Sequence, residues 1–300
     1  MIDNYLSENT LAIFLFHGVI EKNHYTIRNY NRKHIEKDYF YNLLKKLKKE
    51  GQPISVNDCI YCYNEKKSFP PKSFIISFDD GFENNFSVAA PILEDLKIPA
   101  IFYVTTDFIN NNHMSWIDKI EYCLEYSIKG KFDTPWSKEP FVFNSVEDKI
   151  TLLDYLRKKV KKDSTIDVDE LVCSIFSQCN IPLIDKNDTP IDLKMNWSQV
   201  KELDSSKNFM IGGHSHTHRI LSFLDKKELA DEIKKSILML QKNLYTKVSH
   251  YSYPEGLKEH YSSNVIDVLK TNGIICCPSA EEGTNTIDDN LFHLKRIMVT

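Results

Sequence analysis

Ser73-Phe-Ile-Ile-Ser-Phe-Asp-Asp-Gly81 is an apolar run of strand length that passes directly into two carboxylates and a glycine. A run without polar alternation reads as a strand buried on both faces, as in parallel sheets. The stretch 84–97 has helical spacing, with Pro91 as a kink or restart. Ala100-Ile-Phe-Tyr-Val104 is the next apolar run. Strand, helix and strand at this spacing make a βαβ unit, whose strands pair in parallel. Upstream, Leu11-Ala-Ile-Phe-Leu-Phe16 is a strand of the same kind and ends at His17-Gly18. Residues 36–50 carry Phe40, Leu43, Leu44 and Leu47 at helical spacing, with Gly51 as the stop signal.

The middle of the chain has a different rhythm. Segments 117–126, 146–160 and 169–179 are helical in pattern, and strand-like runs are few. Residues 108–194 therefore read as a mostly helical insertion packed beside the sheet, within a single catalytic domain spanning 1–300. The α/β rhythm returns at 196. A short helix at 198–203 follows Trp197, and 209–213 is a strand that delivers His214. Segment 225–244 is an amphipathic helix with Asp225 as N-cap and Glu228 completing a capping box. Strands at 250–253 and 274–277 flank a turn at 254–256 and a helix near 260–272. Repeated strand–helix units predict a closed or nearly closed parallel barrel, or a doubly wound sheet. In both, chemistry gathers at the C-terminal ends of the strands. His17, Asp79 and Asp80, His214 and Pro254 each follow a predicted strand, so they converge on one rim.

Composition narrows the class. At 42% hydrophobic over 300 residues the chain can bury a substantial core. A net charge of −4 gives no electrostatic footprint for nucleic acid. The lysines alternate with acids, as in 45–50, and read as a solvated helix face. Seven cysteines are scattered, and Cys59/Cys62 form a C-x-x-C with no second pair at zinc-ribbon distance. Residues 1–10 lack a basic n-region, and 11–16 is too short for a signal core or a membrane span. These features predict a cytoplasmic location, with a membrane-surface association and a homo-oligomer both left open.

The chemistry lies in two clusters. Asp79 and Asp80 are neighbours whose side chains diverge, so one can bind a metal while the other faces a reacting water. Alone, Asp-Asp-Gly is equally an ordinary polar turn. His214-Ser-His-Thr-His218 places three of the ten histidines in five residues behind Gly212-Gly213. On a helical turn an i,i+4 pair shares one face, which sets His214 and His218 together and turns His216 away to a supporting role. Two imidazoles and one carboxylate leave open positions on a divalent ion, as hydrolytic sites require. Such an ion lowers the pKa of bound water and polarises a carbonyl, and a second carboxylate serves as general base. The arrangement suits attack of water on an amide or ester.

Ser77-Phe-Asp-Asp-Gly81 resembles the T-F-D-D-G motif of the polysaccharide deacetylases (carbohydrate esterase family 4). His214-Ser-His-Thr-His218 resembles that family's H-S/T-x-x-H motif, and Tyr253-Pro-Glu-Gly256 the Y-P-x-G form of its third motif. The segments 16–19 and 99–104 resemble family strands, so the likeness covers 11–107 and 195–278 in the family's order. It implies an irregular (β/α) barrel of about seven parallel strands. It implies one divalent ion, zinc before nickel, cobalt or manganese, held by Asp80, His214 and His218. Asp79 is then the general base, Ser215 holds the histidine loop, and the amide of Glu255 after Pro254 stabilises the oxyanion, a donor worth about 10²–10³ in rate.

Two departures stand out. The arginine that orients the base is absent from 250–254, leaving Arg296, Lys295 or no residue in its place. Leu291-Phe-His293 has the L-x-H spacing of the family's general acid but lacks the apolar strand before it, and His17 is the other candidate. Tyr253, Tyr103, Trp116 and Trp197 are aromatic candidates for a sugar face and equally for core. The expected activity is removal of an N-acetyl or N-formyl group from an amino sugar. A cytoplasmic enzyme meets such sugars linked to nucleotides or lipids in surface-polysaccharide assembly. A silent saccharide-binding module and an O-deacetylase are the competing readings.

Overall fold

The structure, a computed structural model, describes residues 2–300. Its strands are β1 (Ala12–Phe16), β2 (Gly18–Ile20), β3 (His34–Glu36), β4 (Gln52–Pro53), β5 (Ser73–Phe78), β6 (Ala100–Val104), β7 (Gly130–Phe132), β8 (Phe141–Phe143), β9 (Phe209–Gly213) and β10 (Ile297–Met298). Its helices are α1 (Lys37–Glu50), α2 (Val56–Glu65), α3 (Ala90–Asp95), α4 (Thr106–Asn111), α5 (Trp116–Tyr126), α6 (Val146–Val160), α7 (Val168–Gln178), α8 (Trp197–Ser205), α9 (Lys226–Asn243) and α10 (Ser263–Thr271). The chain divides into two compact units: 1–22 with 33–112 and 194–300, and 23–32 with 113–193.

The first unit is α/β. Its six-stranded sheet runs β10-β1-β5-β6-β9, with β4 beside β5, and every pairing is parallel. β1, β5 and β6 are buried at every position, as their unbroken apolar runs require. On one face Phe16 stacks on Phe78 at 5.4 Å and Phe78 on Phe102 at 5.0 Å, in a core shared with Phe40, Leu44 and Leu47 of α1. On the other, Ile13, Ile75, Ile101 and Tyr103 pack with Cys59 and Ile60 of α2. Each such side chain taken from water contributes roughly 1.5–3 kcal/mol.

Local signals account for the helices around it. Asp225 accepts from the N–H of Glu228 at 2.9 Å and Glu228 reaches back to the N–H of Asp225 at 3.2 Å, the expected capping box. The 84–97 segment is interrupted as Pro91 demands. A wide turn over Asn85–Ala89, in which the Ala90 N–H reaches Asn85 O, precedes the regular α3. Gly51 ends α1 for a reason other than a left-handed cap. Its φ is −143°, and a Cβ there would lie 2.4 Å from the Lys72 carbonyl.

The sheet departs from the expected barrel of about seven strands. Residues 250–253 and 274–277 contribute single parallel bridges, Gly213↔Tyr251 and His250↔Cys276, in place of full strands. Tyr251 N–H bonds Cys276 O and Ser252 N–H bonds Gly213 O, and then Pro254 and Pro278 remove the donors that would extend both rungs. No ladder joins that edge to β10 among the described residues.

The second unit is mostly helical, with α5, α6 and α7 around Ile120, Leu124, Leu152, Leu156, Ile175 and Phe176. It also holds the antiparallel hairpin β7–β8. Residues 23–32 belong to this unit. The Glu125 carboxylate accepts from the backbone N–H of Thr26, Ile27 and Arg28, and Glu121 accepts from that of Asn29.

Parallel pairing with registers Phe16↔Phe78, Phe78↔Phe102 and Val104↔Gly213 brings the C-terminal ends of β1, β5, β6 and β9 to one edge of the sheet. The close approach of β9 to the 250–252 segment needs glycine, since a Cβ at Gly213 would lie 2.3 Å from the buried Tyr251 ring. Gly213→Ala is expected to destabilise the fold by about 1–3 kcal/mol, through the strain of overpacking a filled site. A lower urea midpoint at unchanged slope is the expected observation, and a wild-type midpoint would contradict it.

Candidate active site

Asp79 and Asp80 leave β5 through a backbone that separates them. Asp79 N–H bonds Phe16 O at 3.0 Å, whereas Asp80 adopts φ +75° and Gly81 φ +89°. The left-handed residue turns consecutive carboxylates in different directions. A side chain other than glycine in that region stores roughly 1–2 kcal/mol of strain, which the surrounding hydrogen bonds must hold.

His214 leaves β9 with its N–H on Val104 O at 3.0 Å, and its carbonyl accepts from Thr105 Oγ1. The loop 214–218 is not the helical turn expected from the i,i+4 spacing. Ser215 and His218 have φ +64° and +62°, and the Ser215 hydroxyl accepts from the His218 N–H at 2.8 Å, the local bond that competes with helix. The two rings are nonetheless brought to a centroid separation of 5.0 Å. Glu232 of α9 holds the loop from behind, accepting from the N–H of His216 and of Thr217. His216 is turned away onto Thr106 Oγ1, and His218 is stacked on Phe108.

Asp80, His214 and His218 converge. One ligand atom from each lies within 4.8 Å of the others, the one such cluster among the described residues. Nε2 of His214 and of His218 lie 3.6 and 3.2 Å from Asp80 Oδ1, a buried oxygen with no hydrogen bond of acceptable geometry. Burial lowers the His214 pKa to about 4, so its ring is neutral near pH 7. Nδ1 of His214 faces the Ser252 carbonyl at 3.0 Å, which leaves Nε2 as a lone pair aimed at Asp80. Burial would raise Asp80, but His218 beside it holds it well below the ordinary range; burial would lower His218, but Asp80 raises it. Three electron-pair donors facing one buried point fit a divalent cation.

Asp79 lies beside them, 3.8 Å from His214 Nε2. Its carboxylate is gripped by Arg296, with Nη1 to Oδ1 and Nη2 to Oδ2 both at 2.8 Å. Both side chains are buried, and Arg296 Nε is spent on Ser279 O. Arg296 therefore occupies the place for which the sequence offered candidates, while Lys295 is exposed. Burial pushes Asp79 up, and Arg296 together with His214 and His17 more than offsets it, so the group stays ionised below the ordinary carboxylate range. Ser252 is the residue the sequence reading missed. Its hydroxyl lies 3.2 Å from Asp79 Oδ1 and 2.7 Å from His214 Nδ1.

The other candidates divide. His17 is coupled electrostatically to both Asp80 and Asp79, with its pKa lowered first by burial. Pro254 is buried, and Glu255 has φ +62° with its charge acting on His218. Tyr253 is fully buried, stacked on Tyr261 at 4.3 Å, with its hydroxyl donated to Phe292 O. Such a side chain supports the loop and offers no face to a sugar. Tyr103 is likewise buried, under the Arg296 guanidinium. His293 is exposed, with Tyr261 as its partner. Trp116 packs on the helical unit's core, and the Trp197 indole N–H donates to Asn110.

The polysaccharide deacetylase sequence profile matches residues 66–139 and 175–276, more than half of the chain. The chain belongs to the polysaccharide deacetylase family. Poly-β-1,6-N-acetyl-D-glucosamine N-deacetylase of Staphylococcus aureus is 30% identical over 95 residues, and the match spans 31% of the chain and 31% of that relative. The deacetylase fold extends further than this sequence identity. The Streptococcus pyogenes deacetylase PplD in complex with acetate superposes with a TM-score of 0.62 at 15% identity, over 98% of this chain and 93% of that one. IcaB from Ammonifex degensii gives 0.61 at 15% identity, over 99% and 94%. Asp79, Asp80, His214, His218 and Ser252 lie inside the stretches matched by the deacetylase profile, and Arg296 lies outside them.

Arg296→Ala leaves a buried carboxylate without its cation and is expected to cost about 3–5 kcal/mol. The sign for pH follows from the same pairing. Because the folded-state pKa of Asp79 is depressed, its contribution to stability is complete above about pH 4 and is lost as pH falls below that. Without Arg296 burial dominates and the Asp79 pKa rises. The acid limb of the rate profile then moves to higher pH, so that the variant loses more activity at pH 5 than at pH 8. An unmoved acid limb would remove Asp79 as the group that titrates.

Proposed function

We propose that the chain is a metal-dependent N-deacetylase of amino sugars, cleaving the amide of an N-acetylated hexosamine to acetate and a free amine. The observation that carries this reading is the convergence of Asp80, His214 and His218 with a carboxylate, Asp79, held ionised beside them. Asp80, His214 and His218 are the residues that would hold the ion, with zinc the first choice for two imidazoles and one carboxylate. A divalent ion bound there supplies Lewis acidity for the acyl carbonyl and for water.

The chain's own groups supply the rest. Asp79 Oδ1 accepts from both Arg296 and Ser252, whereas Oδ2 carries one Arg296 bond and is the oxygen nearer His214 Nε2, so Oδ2 keeps the lone pair that takes the proton from the attacking water. The Glu255 N–H, in a left-handed turn that a side chain adopts only under constraint, is the donor for the oxyanion. Of the two candidate proton donors to the leaving nitrogen, His17 is favoured over His293 because it is the one of the pair coupled to both aspartates. The silent-module reading rests on a missing arginine and an unassigned general acid, and Arg296 against Asp79 removes the first of these.

For the substrate, the Staphylococcus aureus relatives support an N-acetylglucosamine joined by β-1,6 bonds. Nucleotide-linked or lipid-linked amino sugars are the cytoplasmic alternative. No helix among the described residues is long and apolar enough to cross a membrane, a fact that both accept.

Metal-loaded protein is expected to release acetate and primary amine from a β-1,6-linked N-acetylglucosamine oligomer in preference to UDP-N-acetylglucosamine. Chelation abolishes this release, and zinc or cobalt restores it. Asp79→Asn lowers kcat by about 10²–10⁴. The converse preference would move the substrate to the nucleotide-linked class, and binding of both sugars without release from either would reject the hydrolase reading.

A further inference from the structure

Ser252 stands between the two halves of the site, and its neighbours fix where its proton goes. It is fully buried, and its N–H is anchored on Gly213 O at 2.9 Å. Nδ1 of His214 lies 3.0 Å from the Ser252 carbonyl oxygen and 2.7 Å from the Ser252 hydroxyl. A carbonyl can only accept, so Nδ1 carries the ring proton, a tautomer read from the bonding pattern. The hydroxyl must then accept from the same N–H. Its own proton is left for Asp79 Oδ1 at 3.2 Å, which accepts.

We propose that Ser252 is a positioning residue that ties the His214 imidazole to the Asp79 carboxylate through one hydroxyl. This rests on reading Asp80, His214 and His218 as the metal ligands and Asp79 as the base. Two separate pieces of chain hold Asp79, the Arg296 fork from the C-terminal segment and the hydroxyl from the segment after the Tyr251 bridge. Of these two, the hydroxyl is the one that also holds a ligand. Ser252 therefore sets the direction of the Nε2 lone pair and of Asp79 Oδ2 together. With Arg296 alone the carboxylate stays ionised, but its aim is no longer coupled to that of the imidazole.

The test is a double-mutant cycle of Ser252→Ala with Asp79→Asn, on zinc-loaded protein with a β-1,6-linked N-acetylglucosamine oligomer, beside zinc titrations of substrate-free protein against a chelator. Loss of one hydrogen bond to an ionised group is expected to lower kcat about 10–100-fold with KM nearly unchanged. Zinc affinity is expected to fall about 10-fold, the low end for an outer partner of a ligand, because the Ser252 carbonyl still holds Nδ1. In the Asp79→Asn background Ser252→Ala should lower kcat no further, while zinc affinity still falls. Ser252→Thr keeps the hydroxyl and should recover both. If its extra methyl lowers the unfolding midpoint, Ser252→Cys, close in size with a weak donor, should fall between wild type and Ser252→Ala. Equal losses of kcat in both backgrounds, or unchanged zinc affinity, overturn the proposal. A wild-type protein that turns over no acetylated sugar rejects the deacetylase reading instead; the zinc titration then still decides the tie to His214.

Discussion

Asp79 and Arg296 are 217 residues apart in sequence, and the Asp79 carboxylate accepts two hydrogen bonds of 2.8 Å from the Arg296 guanidinium where both are buried. A carboxylate taken out of water without a partner would surrender its charge. The guanidinium prevents this, and its planar fork also fixes the plane of the carboxylate, which a lysine could not do. This constraint requires the C-terminal segment to return to the sheet. β10 pairs with β1, next to β5, and sets Arg296 level with Ile13 and Ile75, from where its side chain reaches the Asp79 carboxylate.

The rest of the site is arranged around that pair by the parallel sheet. β5 delivers the aspartates, β6 the threonines that hold the histidine loop, and β9 His214, all at one edge. Each loop is short and pinned by bonds from its neighbours: Thr105 on the His214 carbonyl, Glu232 on the loop amides, Ser215 on the His218 amide. Few degrees of freedom remain to be frozen when a ligand arrives, which is what preorganisation means in energetic terms.

What the sequence disclosed follows from the range of the interactions concerned. The apolar strands, the helix caps and the two motif clusters are written within ten residues or fewer, and 73–81 and 214–218 could be read directly. Partnerships across the chain could not. Arg296 stood as one of several candidates, because nothing near it in sequence names Asp79. Ser252 left no trace, since a lone serine between two tyrosines carries no sign in the sequence that it faces Asp79 and His214. The i,i+4 spacing of His214 and His218 suggested a helix, whereas the serine between them redirects an amide and imposes a left-handed backbone. The attachment of 23–32 to the helical unit rests on side-chain carboxylates accepting from backbone amides, which leaves no periodic trace. Proline at 254 and 278 shortened strands that composition alone had extended.

Asp80, Ser215, His218 and Glu255 all hold left-handed backbones without being glycine. At roughly 1–2 kcal/mol each, these four conformations set several kcal/mol against folding, a sizeable part of the net stability of an ordinary domain. If these four positions carry the proposed reaction, selection for stability and selection for chemistry pull in opposite directions there. A descendant of this chain freed from its reaction would gain stability by drifting to glycine or asparagine there. Among related sequences, the loss of strain at these positions would then record the loss of activity, and could be read from sequence before any assay.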